Sequence, residues 1–396
     1  MPDSKASRAL LGILCATALA AGVTAVPAQL AAQQPYHVIA QWKIGGDGGW
    51  DYVNVDPATK RLYIAHSTQV QVVDTTTGKL VGAIEGFKGT HGIAFDAAGK
   101  YGYISDGRGG AVVVFDRNSL AKVTSIEVAD GPDGIVYEPA TQSVWTFNGR
   151  GSASAIDTAT QKVVATVKLP GRAEAPEVDG KGYVYGNVDG NLIRIDARSK
   201  AITATWPACE DASGLAVDVE GHRLFQACDG KKMMVLDSET GKQLGTAEIG
   251  DRPDSAGYSA KYQLAFASTG DGLLSVVGST ANGFTTVEKL TTMKSARTMT
   301  YDPSTDRIYT VGALEDSSKS SADQQGPPPG GPEGGPGGPE GGPGGPEGGP
   351  GGPDGGPGGP GGPGGPGGPG GPGGPGGPGG MPSYVAGSFT VVVVGR

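Results

Sequence analysis

The chain has 396 residues, a formal net charge of −9 at neutral pH, 72 glycines and 30 prolines. A diffuse negative field repels phosphate backbones and no basic run offsets it, which argues against general nucleic-acid binding. No apolar run reaches the roughly 20 residues that a bilayer-spanning helix needs, so no transmembrane segment is expected.

The amino end reads as a secretory signal peptide over residues 1–32. Lys5 and Arg8 precede an apolar stretch rich in Leu and Ala from Ala9 to about Val23, and small residues follow. Cleavage after Ala28 or Ala32 fits the small-residue requirement. Cys15 follows Leu14, where a lipoprotein signal needs a small residue, so lipid anchoring is not expected. Loss of Lys5, Arg8 and Asp3 would move the charge from −9 to −10 and leave Cys209 and Cys228 in an oxidising compartment, periplasmic or extracellular.

From Trp50 onward the sequence repeats. An acidic residue closes the first apolar strand of most units at Asp56, Asp96, Glu138, Asp179, Asp218 and Asp302, with Ser259 standing in once, at spacings of 39 to 43 residues. A second acidic series closes the third strand at Asp74, Asp116, Asp157, Asp196 and Asp237, with Gly278 in its place in the sixth unit. Between the markers the residues alternate as in strands, and each unit reads as four short strands joined by tight turns such as Asp56-Pro57 and Thr77-Gly78. Units begin near Trp50, Thr90, Gly131, Arg172, Ser213, Pro253 and Ala296, which makes seven. Four-stranded units of this length are propeller blades, so residues 33–396 are expected to form an all-β, seven-bladed β-propeller with four antiparallel strands per blade. The last unit lacks an outer strand. The segment from Tyr36 to Ile44 is expected to supply it and close the ring.

The units at Asp56-Pro57, Arg61 to Ala65 and Thr77 to Val81, and at Tyr301 to Pro303 and Arg307 to Val311, resemble the repeat of the exported YVTN or YncE-like propeller family. The resemblance covers roughly residues 36–316 and 384–396. It implies a seven-bladed ring and an exported protein, and it does not imply a reaction.

Five positions before each first marker stand Asp51, His91, Asp133, Glu174, Ser213, Asp254 and Arg297, which the propeller topology places around the channel mouth. One reading makes them turn caps and polar lining. Another makes them a ligand-binding ring, because capping does not select His91 or Arg297, and four carboxylates at one narrow mouth repel one another without a cation. Two chemical versions follow. A hard cation such as Ca²⁺ would be held near Asp133, Glu174 and Asp254, with Glu177, Glu210 and Asp211 nearby. Alternatively His91 would serve as general acid or base with Arg297 stabilising an anion, a pairing similar in kind to that of propeller-fold virginiamycin B lyases and lactonases. Trp50, Tyr52 and Tyr258 neighbour the ring, as blade packing or as stacking surfaces. Cys209 and Cys228 fall on one face of the fifth blade, with residue 228 roughly opposite 213, and are expected to form a disulfide.

Residues 317–383 are a Gly/Pro-rich insert within the last blade. Glu333, Glu340, Glu347 and Asp354 recur every seven residues and break the glycine triplet that a collagen helix needs, so a flexible ribbon with polyproline-II character is expected. Lying between the second and third strands, the insert should leave the ring on the face that carries the charged mouth. The leading expectation is an exported, monomeric, non-enzymatic propeller that binds a protein or small-molecule ligand at that face. A lyase or lactone hydrolase using His91 and Arg297 is the alternative.

Overall fold

The computed structural model describes residues 34–316 and 383–396. The signal-peptide and ribbon expectations therefore lie outside the described residues. Seven four-stranded antiparallel sheets are present, one per repeat. Their innermost strands are Trp50–Asp56, Thr90–Phe95, Pro132–Glu138, Ala173–Val178, Ala212–Asp218, Pro253–Ser259 and Thr298–Asp302, defining blades one to seven. In blade seven the order is Thr298–Asp302, Arg307–Gly312, Thr390–Gly395 and finally His37–Lys43, so the amino-terminal strand supplies the outer edge as expected.

The two acidic series owe their regularity to turn chemistry. Asp74 accepts hydrogen bonds from the backbone of Thr76 and Thr77 at 2.9 and 2.7 Å, and Asp116, Asp157, Asp196 and Asp237 close their hairpins in the same manner. Four residues beyond the acid the chain must enter the left-handed region. Gly78 and Gly241 do so at φ 70° and 69°, while Leu120, Gln161 and Lys200 take the same conformation in the other hairpins. The first series lies deeper. Asp56 is buried and accepts hydrogen bonds from Ala58 N and Thr59 Oγ1, and it also holds the buried Arg117 of blade two.

Apolar side chains on both faces of each sheet interdigitate with the next sheet, producing seven clusters, one for each blade interface. Ring closure rests on the cluster that joins Val53, Leu62 and Ile64 of blade one to Tyr309, Val391 and Val393 of blade seven. Among the described residues, no helix is long and apolar enough to cross a membrane.

Candidate functional site

Six of the seven predicted mouth residues sit in a backbone irregularity of their own. The pairing between inner strand and second strand slips between Trp50 and Val53, Thr90 and Ile93, Pro132 and Ile135, Ala173 and Pro176, Ala212 and Gly214, and Pro253 and Ser255. Asp51, His91, Asp133, Glu174, Ser213 and Asp254 each fall within one of these slips. A bulge tilts the strand and re-aims a side chain that would otherwise lie between two blades. Arg297 directly precedes its strand and no slip accompanies it.

The ring is not uniform. His91 Nδ1 stands 2.5 Å from Asp51 Oδ2 and 3.5 Å from Asp133 Oδ1, so residues of blades one, two and three form a cluster whose ligand atoms lie within 4.8 Å of one another. Glu174 is taken by Arg172 of its own blade at 2.8 Å. Asp254 accepts a hydrogen bond from Thr298 Oγ1 at 2.6 Å and faces Arg297 Nε at 3.7 Å. Ser213 Oγ donates to the carbonyl of Pro253 at 2.6 Å, which ties blade five to blade six. The anticipated metal trio of Asp133, Glu174 and Asp254 is thus distributed among three partners, and the compact set is Asp51, His91 and Asp133. His91 and Arg297 likewise answer to separate carboxylates, and among the described residues no hydrogen bond or ion pair joins them.

Burial would drive the His91 imidazole toward neutrality, yet the hydrogen bond and charge of Asp51, with Asp133 and Asp106 behind, win and hold its pKa at about 9. Asp133 is pushed up by burial and then by Asp51, against the opposing pull of His91. Glu174 rises through burial, moderated by Arg172. Glu177, three residues further along the same strand, has no such partner: burial raises it to about 7, opposed only by the backbone N–H of Val178. Glu210 and Asp211 stay exposed on the rim.

The residue that follows each mouth residue is Tyr52, Gly92, Gly134, Ala175, Gly214, Ser255 or Thr298. Six are small, and in two cases the reason is closeness of neighbouring inner strands. A Cβ on Gly214 would lie 2.7 Å from the backbone N of Ala256, and one on Gly134 would lie 2.3 Å from Pro176 Cδ. Tyr52 alone is large. Starting from blade one, it packs against the apolar cluster of blades four and five that contains Ala175 and Ala212, and its hydroxyl reaches Gly134. A side chain that joins blades this far apart must cross the channel. Its ionisation is suppressed first by burial and then by the charges of Asp133, Glu174, Asp51 and Asp254. Tyr52 thus links the inner strand of blade one to blades three, four and five.

The other aromatic residues lie elsewhere. Tyr258 sits at the opposite end of its strand, stacked on Phe225 at 5.3 Å and bonded to Arg223 at 3.2 Å, so the expectation that it neighbours the ring is corrected: four residues of extended chain carry it to the far face. Trp50 packs on Tyr384 and Phe389 at 4.7 and 5.1 Å, at the closure between blades one and seven. Cys209 and Cys228 are joined as a disulfide with Cα atoms 6.1 Å apart. The partner of Cys228 in the ladder is Ala212, because the bulge absorbs the neighbouring residue 213.

No family model matches the chain, and no curated protein matches it. Among solved structures it is similar to one described as "Structure of U3-55K", with a TM-score of 0.61 at 10% identity over 69% of this chain and 90% of that one. It is also similar to "Crystal structure of RRP9 WD40 repeats", with a TM-score of 0.62 at 10% identity over 69% of this chain and 89% of the other. At such identity the likeness is one of fold.

Proposed function

We propose that this is an exported propeller of YVTN or YncE-like type that works by binding, and that its channel mouth receives a positively charged group from a protein partner or a small molecule. The observation that carries this reading is that Asp51, Asp133, Glu174 and Asp254 stand at equivalent positions of four blades, with Asp51 and Asp133 drawn together around His91. Against these four acids stand His91, Arg172 and Arg297. Four carboxylates against three basic side chains leave a net acidic cluster, which suits an ammonium or guanidinium group. The WD40 repeats among the fold's neighbours, and the motif likeness of the repeats, support a scaffold role and export. The enzymatic alternative draws less support, since His91 and Arg297 are held by different acids.

The test uses EDTA-treated protein and calorimetric titration with spermidine and with a short lysine-rich peptide. Saturable binding is expected, weakening at least tenfold between 50 mM and 500 mM salt and falling in Asp254→Asn and Tyr52→Leu. Absence of saturation with either probe, or binding indifferent to both substitutions, would refute the reading.

A further inference from the structure

The mouth has two chemically distinct sides. Glu174 and Asp254 already carry arginine partners, whereas Asp51, His91 and Asp133 combine one imidazole nitrogen with two carboxylates. We propose that Asp51, His91 and Asp133 form a binding site for a divalent first-row transition ion of the zinc or manganese kind, where the inner strands of blades one, two and three meet. This inference rests on the mouth being the binding face, and it adds an occupant that the organic-cation reading does not require.

The donor set decides the class of ion. One nitrogen with two carboxylate oxygens suits borderline ions, whereas calcium takes six to eight oxygens and gains little from imidazole. Spacing agrees. Metal–ligand bonds of about 2.0–2.2 Å set neighbouring donors roughly 3.0–3.5 Å apart. His91 Nδ1 is 3.5 Å from Asp133 Oδ1 and 2.5 Å from Asp51 Oδ2, so a small rotation of Asp51 opens the cluster to an ion.

Rigidity agrees as well, and it comes from residues outside the cluster. Ser105, fully buried on the second strand of blade two, accepts a hydrogen bond from Gly92 N at 2.7 Å and donates to the carbonyl of Asp133 at 2.5 Å. One hydroxyl thereby fixes the backbone beside two of the three ligands. The imidazole is held from behind: a Cβ on Gly107 would fall 2.5 Å from His91 Nε2, so only glycine there lets the ring lie back with Nδ1 turned to both acids. These contacts anchor the backbone and the ring, so that the three donor atoms stay gathered without an ion. Three protein ligands leave coordination positions open toward the mouth, where an oxygen or nitrogen of an incoming ligand can bind.

The experiment takes tag-free, EDTA-treated full-length protein and titrates Zn²⁺, Mn²⁺ and Ca²⁺ by calorimetry, with electron paramagnetic resonance of Mn²⁺ as a second readout. One equivalent of Zn²⁺ or Mn²⁺ is expected to bind, with affinity falling at least tenfold in His91→Ala and Asp133→Asn, less in the conservative His91→Gln, and not in Glu248→Gln on the outer rim. Thermal melts identify any variant that has lost its fold, and His91→Gln and Asp133→Asn are independent substitutions on different blades. The proposal is overturned if neither transition ion saturates at one equivalent, if His91→Ala binds as well as the parent, or if Ca²⁺ binds in a manner abolished by Glu174→Gln but not by His91→Ala. Because spermidine binding is measured in EDTA, failure of the metal site alone leaves that result standing, while failure of both removes the mouth as a binding face.

Discussion

His91 Nδ1 and Asp51 Oδ2 lie 2.5 Å apart although they belong to different blades. A repeat that places one residue per blade at the same height turns an interval of forty in sequence into a hydrogen bond in space. The imidazole pKa of about 9 follows from that bond, since burial alone would lower it. Asp51→Asn is therefore expected to reduce the His91 pKa by about one unit or more, read from imidazole chemical shifts across a pH titration. Because the folded pKa lies above the ordinary value of 6.5, the protonated pair contributes stability that is complete below about pH 6.5 and lost as pH rises through about 9. The Asn variant should lack this decline, and a His91 titration unchanged by the substitution would contradict the account.

Glu177 offers a second dependence on pH. Its carboxyl is raised to about 7 by burial without a compensating cation, so the folded chain takes up a proton there more readily than the unfolded chain. Stability is complete below about pH 4.5 and falls as pH climbs through about 7. The ionised form costs about 1–3 kcal/mol. Glu177→Gln is expected to raise the melting temperature by at least about 2 °C at pH 8 and to leave it nearly unchanged at pH 4.5. Equal effects at the two pH values would show that ionisation is not the cause.

Arg117 is buried, donates through Nε to Asp56 at 2.9 Å and reaches the carbonyl of Asp96 with Nη1 at 3.2 Å. It thus fastens blade two to blade one beneath the core. Arg117→Ala should cost about 3–5 kcal/mol in chemical denaturation, because Asp56 is left buried and uncompensated. Arg117→Lys should recover only part of this, since a compact ammonium lacks the rigid fork that reaches the Asp56 carboxylate and the Asp96 carbonyl at once. A loss under about 1 kcal/mol for the alanine variant would overturn this role.

The blades were legible because each closes its turns with an acid whose function is local, so Asp56, Asp74 and their counterparts recur whatever the surroundings. The mouth residues followed by counting back from those acids. Two things were not legible. Which mouth residues meet depends on bulges, and a bulge has no signature in a strand that already alternates imperfectly. The partners of Glu174 and Asp254 come from Arg172 and Arg297, two residues that no periodic marker relates to each other. Tyr52 did carry a signal: in the position after the mouth residue it stands alone among Gly, Ala, Ser and Thr. Aligning that column singles Tyr52 out, whereas its nearness to Asp51 alone leaves blade packing and a stacking surface both open. Tyr258 was misplaced for the opposite reason, since proximity in sequence to Asp254 says little along an extended strand that runs from one face to the other.

The chain departs the seventh blade at Asp316 and resumes at Ser383, where the amide of the first donates to the carbonyl of the second at 2.7 Å. Glu315 faces Tyr384 across an isolated bridge just inside. The 66 intervening residues fall, in sequence, between the second and third strands of that blade. Since each doubling of such a span costs only about 0.6 kcal/mol in closure entropy, the fold exerts almost no selection on what is spliced there. That doorway is consequently a natural port for foreign cargo: a reporter or an affinity handle inserted at it would be displayed beside the Lys294–Glu315 ion pair, with both of its ends secured to the same blade.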